Sequence, residues 1–149
     1  MDKVLIIESN RYGNVSNKLL KAATDILEGM GMEYDHVVVR RASEIAMAAS
    51  IAIDTLEYQG VIALGCIVQG ETDQYQHVCA ETIRNINEVG MDYSLPIGLG
   101  ILTVNDEKQA LARAERYGKE AANACIGLLE IKKRFNTLTQ DDNEFTYEN

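Results

Sequence analysis

The amino-acid sequence predicts a three-layer α/β/α sandwich built on a four-stranded parallel sheet. Short, uncharged apolar runs alternate with longer segments of helical periodicity, the order that makes parallel strands joined by right-handed crossovers. The run Val61–Val68 is apolar throughout, as befits a strand covered on both faces. Polar turns follow the strand ends, where α/β folds place their ligands.

In chain order, Val4–Ile7 is a first buried strand that empties into the polar loop Glu8–Asn14. Val15, Leu19, Leu20, Ala23, Ile26, Leu27 and Met30 then recur at helical spacing, and Gly29 and Gly31 end that helix. Val37–Val39 is a second strand, followed by Arg40, Arg41 and the Ala- and Ile-rich helix Ala42–Leu56. The stretch Gly60–Ile86 organises the rest. It holds strand Val61–Val68, the turn Gln69–Asp73, and a helical pattern through Val78, Ala80, Ile83 and Ile86. Such a turn before a helix start can hold an anion on unpaired N–H groups. A joint whose Gly70 merely supplies a backbone angle explains the local sequence equally well.

Pro96, the only proline, opens strand Ile97–Val104, whose interior Gly98 and Gly100 point to close approach of a ligand or a neighbouring chain. Asp106 is a candidate N-cap for a helix reaching about Phe135, with Gly118 and Gly127 as kink points. Asn136–Asn149 is polar and acidic, the composition of a disordered tail, which divides the chain into a domain at 1–135 and a tail at 136–149. The architecture expected is flavodoxin-like, and so small a sheet has edges that favour oligomers.

A chain of 149 residues suits one domain with a sizeable core. Its formal charge of −9, with no basic run, argues against nonspecific nucleic-acid and anionic-membrane binding. A small anionic substrate needs only one or two well-placed cations. No apolar run approaches the roughly 18 residues of a membrane span, and no secretory apolar region opens the chain. A cytoplasmic protein is expected. Cys66, Cys79 and Cys125 form no CxxC pair, which favours free thiols. His36 and His77 lack metal-motif spacing, so no metal is expected. Cys66–Gln69 offers no carboxylate for a phosphoryl-accepting domain, and the loop SNRYGNVS is not a Ser/Thr-rich flavin phosphate loop. Glycine signatures of nucleotide binding and a nucleophile elbow are also missing.

Four blocks at successive strand ends carry a family resemblance over roughly Val4–Phe135. They are Arg11-Tyr12, then Ala42-Ser43-Glu44-Ile45, then Gly65-Cys66-Ile67-Val68-Gln69-Gly70-Glu71-Thr72 with Tyr75, and finally Pro96–Thr103 with Asn105, Glu107, Gln109-Ala110 and Arg113-Ala114 downstream. With them the chain resembles the 6,7-dimethyl-8-ribityllumazine synthases (riboflavin synthase beta chains). The resemblance implies a cofactor-free transferase that joins 5-amino-6-ribitylaminouracil to 3,4-dihydroxy-2-butanone 4-phosphate. It further implies small-molecule substrates, a homopentamer or decamer with sites between subunits, and riboflavin synthase as a partner.

By position, Tyr12 would stack on the pyrimidine, with a loop aromatic packed on the sheet edge as the alternative. Ala42, Ser43 and Glu44 would bind ribityl and ring polar groups, although Glu44 also suits a helix N-terminus. Cys66, Ile67 and Val68 would line the ring pocket, or simply pack the core. Glu71 and Thr72 would hold the phosphate, with Arg113 as its cation; without the resemblance Arg113 is a solvated helix charge. Leu99 would come from the neighbouring subunit, and otherwise is core. Lys119 is a candidate for the family lysine.

This chain also departs from the family pattern. Gln74 stands where the resemblance leads to a catalytic His, and His77, one helical turn on, is a candidate substitute or a surface residue. Gln69 replaces an Arg, Arg41-Ala42-Ser43 replaces a small-Gly-aromatic triplet, Ala46 a Pro, Gly13 an Asn and Leu99 an aromatic. Two functions follow: an active synthase, or a noncatalytic relative acting as a lumazine or flavin binder or as a self-assembling scaffold.

Overall fold

A computed structural model describes residues 2–55, 57–70 and 74–148, with side chains of the last helix described as far as residue 138. The elements are β1 (Lys3–Ser9), α1 (Gly13–Gly29), β2 (Glu33–Val39), a 3-10 turn (Ala42–Glu44), α2 (Ile45–Ile53), β3 (Gly60–Val68), α3 (Tyr75–Tyr93), β4 (Ile97–Val104) and α4 (Glu107–Glu148). The strands form one parallel sheet in the order β2-β1-β3-β4. The α/β/α architecture expected from the sequence is therefore present, with α1 and α4 on one face and α2 and α3 on the other.

The period of two along β1 sorts its side chains between the layers. Val4 and Ile6 join Leu19, Leu27, Leu64 and Leu102 under α1 and α4, while Leu5 and Ile7 join Ile45, Ala63 and Ile86 under α2 and α3. On α1, the buried stripe Val15, Leu19, Ala22, Ala23 and Leu27 follows the helical repeat. Burying a side chain such as Leu19 contributes about 1.5–3 kcal/mol, so Leu19→Ala opens a cavity at the centre of this layer.

Four features differ from the expectation, each for a physical reason. β2 begins at Glu33, four residues before the apolar run, because its pairing with β1 starts at Lys3 opposite Glu33 and an edge strand tolerates polar side chains. The expected helix Ala42–Leu56 opens as a 3-10 turn and ends at Ile53; the Glu44 carboxylate accepts the Arg41 backbone N–H at 2.8 Å, tightening the first turn. Leu56 lies outside the described residues.

The interior glycine Gly98 answers to neither a ligand nor a second chain. A Cβ on it would lie 1.8 Å from the Ala121 carbonyl oxygen, so it is α4 of the same chain that approaches the strand. Finally, α4 is one uninterrupted helix. Gly118 lets it cross α1, where a Cβ would meet the Leu19 carbonyl oxygen at 2.5 Å. Asp106 caps α4 as expected, its Oδ1 accepting the Gln109 N–H at 2.8 Å. Neither Gly nor Pro occurs after Gly127 to stop the helix, and its backbone stays helical through 136–148.

This topology sets where a ligand can enter. From β1 the chain passes through α1 toward β2, and from β3 it passes through α3 on the opposite face toward β4. The carboxyl ends of the adjacent strands β1 and β3 therefore part, leaving a crevice between them.

Candidate functional site

A cleft of about 770 Å³ occupies that crevice. Its floor is the end of β3, Cys66, Ile67 and Val68; one rim is the β1–α1 loop with Arg11 and Tyr12, and beside it lies the 3-10 turn with Arg41, Ala42 and Ser43. Strand register builds this rim. Ser9 pairs with Val39, and the Asn10 N–H donates to the Val39 carbonyl at 3.0 Å, so Arg11 and Arg41 each stand two residues beyond paired positions. Tyr12 is the N-cap of α1, lines the cleft and also packs against the α1/α4 core. The Arg11 guanidinium sits 5.7 Å from the centroid of the Tyr12 ring.

The opposite wall is one face of α3. Gln74, His77, Val78, Glu81, Thr82 and Asn85 line the cleft at steps of three and four residues. Gln74 is the N-cap of α3 and makes no side-chain capping bond. Val78, 39% exposed, faces this cleft instead of filling the core. Thr82 is 3% exposed, and its Oγ1 has no hydrogen-bond partner among the described residues. Such a group costs about 1–3 kcal/mol when left unpaired. Arg84 donates to Glu81 at 2.7 Å and holds that carboxyl below its ordinary range. Burial pushes the Cys66 thiol up to about 11, so it lines the floor as a neutral group, not a nucleophile.

Eight residues singled out from the sequence thus meet at one cleft: Tyr12, Ala42, Ser43, Cys66, Ile67, Val68, Gln74 and His77. Four others lie elsewhere. Glu44 is engaged with the Arg41 backbone. Leu99, level with Ala63 in the sheet, packs beneath α2 and α3. Arg113 is exposed on α4, and Lys119, bonded to Glu115 at 3.0 Å, lines a separate shallow groove on that helix. Glu71 and Thr72 lie outside the described residues.

Sequence reasoning did not assign Arg11, Arg41, Val78, Glu81, Thr82 or Asn85 to the site. For the α3 residues a signal existed: they continue the helical spacing from Gln74. For the two arginines the signal is the strand register, which no single segment reveals. Among the described residues no cluster of His, Cys, Asp or Glu is arranged to hold a metal, and no helix is long and apolar enough to cross a membrane. An apolar floor, an aromatic edge and polar walls suit a flat ring carrying a polar arm.

Comparison with known proteins bears on which ring. A family profile for 6,7-dimethyl-8-ribityllumazine synthase matches residues 2–133. The 6,7-dimethyl-8-ribityllumazine synthase of Paramagnetospirillum magneticum is 36% identical over 144 residues, covering 89% of this chain and 96% of the relative. The 6,7-dimethyl-8-ribityllumazine synthase 1 of Rhodopseudomonas palustris is 38% identical over 141 residues, covering 89% and 86%. That of Bartonella bacilliformis is 38% identical over 138 residues, covering 89% and 91%. With a family match across nearly its whole domain and these relatives, the chain belongs to the 6,7-dimethyl-8-ribityllumazine synthase family, transferases of riboflavin biosynthesis.

Proposed function

We propose that the cleft is where 5-amino-6-ribitylaminouracil and 3,4-dihydroxy-2-butanone 4-phosphate condense to the lumazine, with loss of phosphate and water. The observation that supports this assignment most is the convergence of eight residues, picked from four separate segments, on one crevice. Tyr12 stacks on the pyrimidine, Cys66–Val68 form the bed of the ring, and Ala42 and Ser43 meet the ribityl arm. Glu44 acts by closing the turn that presents them. Glu71, Thr72 and Arg113 take the phosphate of the second substrate. Holding two reactants in register is itself a large part of such a rate, so the reaction tolerates a poor proton shuttle.

Leu99, Arg113 and Lys119 lie away from their own chain's cleft, which supports a site shared between subunits, each copy supplying these residues to its neighbour. The arrangement we propose is a homopentamer or a decamer of two rings. The exposed apolar residues Val37, Val38, Met47 and Ile51 support it. We place the protein in the cytoplasm with riboflavin synthase as partner, and treat 1–135 as the catalytic unit, with 136–149 outside it.

Proton transfer falls to His77, with Gln74 as a hydrogen-bonding group; both line the cleft. The test is lumazine formation, followed by absorbance and fluorescence. The parent should turn over slowly, and His77→Ala should lower the rate. Gln74→His should raise it by about tenfold or more and add an imidazole ionisation, near 6.5 for an unperturbed group, to the pH–rate profile. If neither parent nor Gln74→His makes lumazine while both bind it, the protein is a ligand carrier and the synthase assignment fails.

A further inference from the structure

We propose that Thr82 and Asn85, on the cleft face of α3, bind hydroxyls of the ribityl arm and so make the site select a ring that carries a polyol. The inference rests on the reading that the cleft holds such a ring, and it names residues of the arm's pocket which that reading leaves unassigned.

Thr82 is set apart by its missing hydrogen bond. Helical serines and threonines ordinarily bond to a carbonyl one turn back. Ser16 on α1 is 3% exposed, as Thr82 is, and its hydroxyl donates to the Gly13 carbonyl at 3.1 Å. Thr24 and Thr137 donate in the same way to Lys21 and Lys133 at 3.1 and 3.0 Å. Thr82 does not, and its Oγ1 has no other partner among the described residues. Packing asks only for an apolar side chain here, since Thr82 and Ile86 together make the buried face of α3. A valine would fill nearly the same volume with no polar atom to desolvate. A buried hydroxyl left unpaired on the wall of a cleft is explained by a partner that the ligand brings.

The shape of the cleft gives the arm its direction. At a rise of 1.5 Å per residue, the lining face from Gln74 to Asn85 runs about 16 Å along α3. Its near end, beside the Cys66–Val68 bed, holds the ring in the proposed reaction. The wall beyond carries Thr82 and the half-buried Asn85, and the 3-10 turn that presents Ser43 packs against the same helix. The charged residues of this stretch are already bonded to one another, Arg84 to both Glu81 and Glu88. What the wall offers beside them is a hydroxyl and a carboxamide, each able to donate and to accept. A sugar-alcohol hydroxyl does both as well, so it satisfies these groups and is satisfied by them. A hydrocarbon arm would leave Thr82 unpaired.

The experiment titrates two fluorescent probes into the full-length protein. They are 6,7-dimethyl-8-ribityllumazine and its 8-pentyl analogue, which keeps the ring and the length of the arm without the hydroxyls. The ribityl probe should bind about tenfold tighter or more, equivalent to about 1.4 kcal/mol. In Thr82→Val/Asn85→Ala that ratio should fall toward one, and each single variant should lose part of it. Thr82→Ser keeps a hydroxyl and should keep most of the preference. Thr82→Val should also raise the urea midpoint of the free protein by removing a buried unpaired group, which separates lost preference from lost folding. In steady state it should raise KM for 5-amino-6-ribitylaminouracil severalfold and leave KM for 3,4-dihydroxy-2-butanone 4-phosphate unchanged. Equal affinities in the parent, or a ratio that survives the double substitution, overturn the proposal while leaving the synthase assignment intact. If the parent binds neither probe, the proposal and that assignment fall together.

Discussion

On the α1/α4 side of the sheet, Leu19, Leu27, Ala110, Ala114, Ala121, Ala122 and Cys125 are all fully buried. Small residues let α4 lie close enough for Gly98 to touch its backbone. On the α2/α3 side the finish is different. Of nine residues in α2 only Ile45 and Ala49 are buried, and of nineteen in α3 only Thr82 and Ile86. Met47 and Ile51 stand 67% and 65% exposed on the outer face of α2. The packed side closes its core within one chain, and its exposed apolar residues, Leu128, Ile131, Phe135 and Leu138, lie toward the far end of α4. The other side spends its helices on lining a cleft and leaves apolar surface uncovered, the division expected where a scaffold face and a binding face share one sheet.

The comparison breaks most sharply at Gly98. Gly98→Val should destabilise the fold by about 3 kcal/mol or more, because the displaced atom is α4 backbone and no side chain can swing aside. Urea unfolding measures this, and a change under about 1 kcal/mol would mean that the α1/α4 layer yields where the close contact at Gly98 implies rigidity.

The second test addresses the open side. Met47→Ser/Ile51→Ser should alter stability of the isolated chain by only about 0.5 kcal/mol, since both side chains are already in water. If α2 meets a neighbouring copy, the same pair should lower the mass seen in sedimentation. An unchanged assembly removes α2 from the interface.

The smallest effect concerns a polar flaw on the packed side. By strand alternation Glu8 points with Val4 and Ile6 toward α1 and α4; its side chain is 7% exposed, and its Oε2 has no partner among the described residues. Burial pushes its carboxyl above the ordinary 4.5, and the His36 imidazole, 3.1 Å away, pulls it part of the way back. A raised carboxyl stabilises the fold when protonated. That contribution is complete below the ordinary value of 4.5 and is lost as pH rises through the higher folded value. Glu8→Gln should remove this loss, so its stability should gain on the parent's as pH climbs toward about 7. Parallel curves across that range would show that His36 cancels the burial cost completely.

Much of this was legible along the chain. β4 has the expected bounds, Ile97–Val104, because a proline opens it and a capped helix follows. The strand-end segments were legible as the places where a ligand sits, because parallel sheets open only at carboxyl ends. Less legible was α3. Its polar face, Gln74 to Asn85, has helical spacing in the sequence, but only packing distinguishes a face turned to solvent from one turned to a cleft. Gly98 illustrates the same limit: the glycine announced a close approach, and nothing local said whether the visitor was a ligand or a distant helix of the same chain.

By itself, then, the sequence determined the order and type of the elements, the family, and the segments from which a site is drawn. These follow from periodicity, caps and short motifs, which are properties of neighbours along the chain. Only the tertiary structure decided that Arg11 and Arg41 share one rim, that Val78 and Thr82 face the same space, and that Arg113 and Lys119 stand apart from it. Those relations depend on strand register and helix crossing, which are set by contacts between residues far apart in the chain.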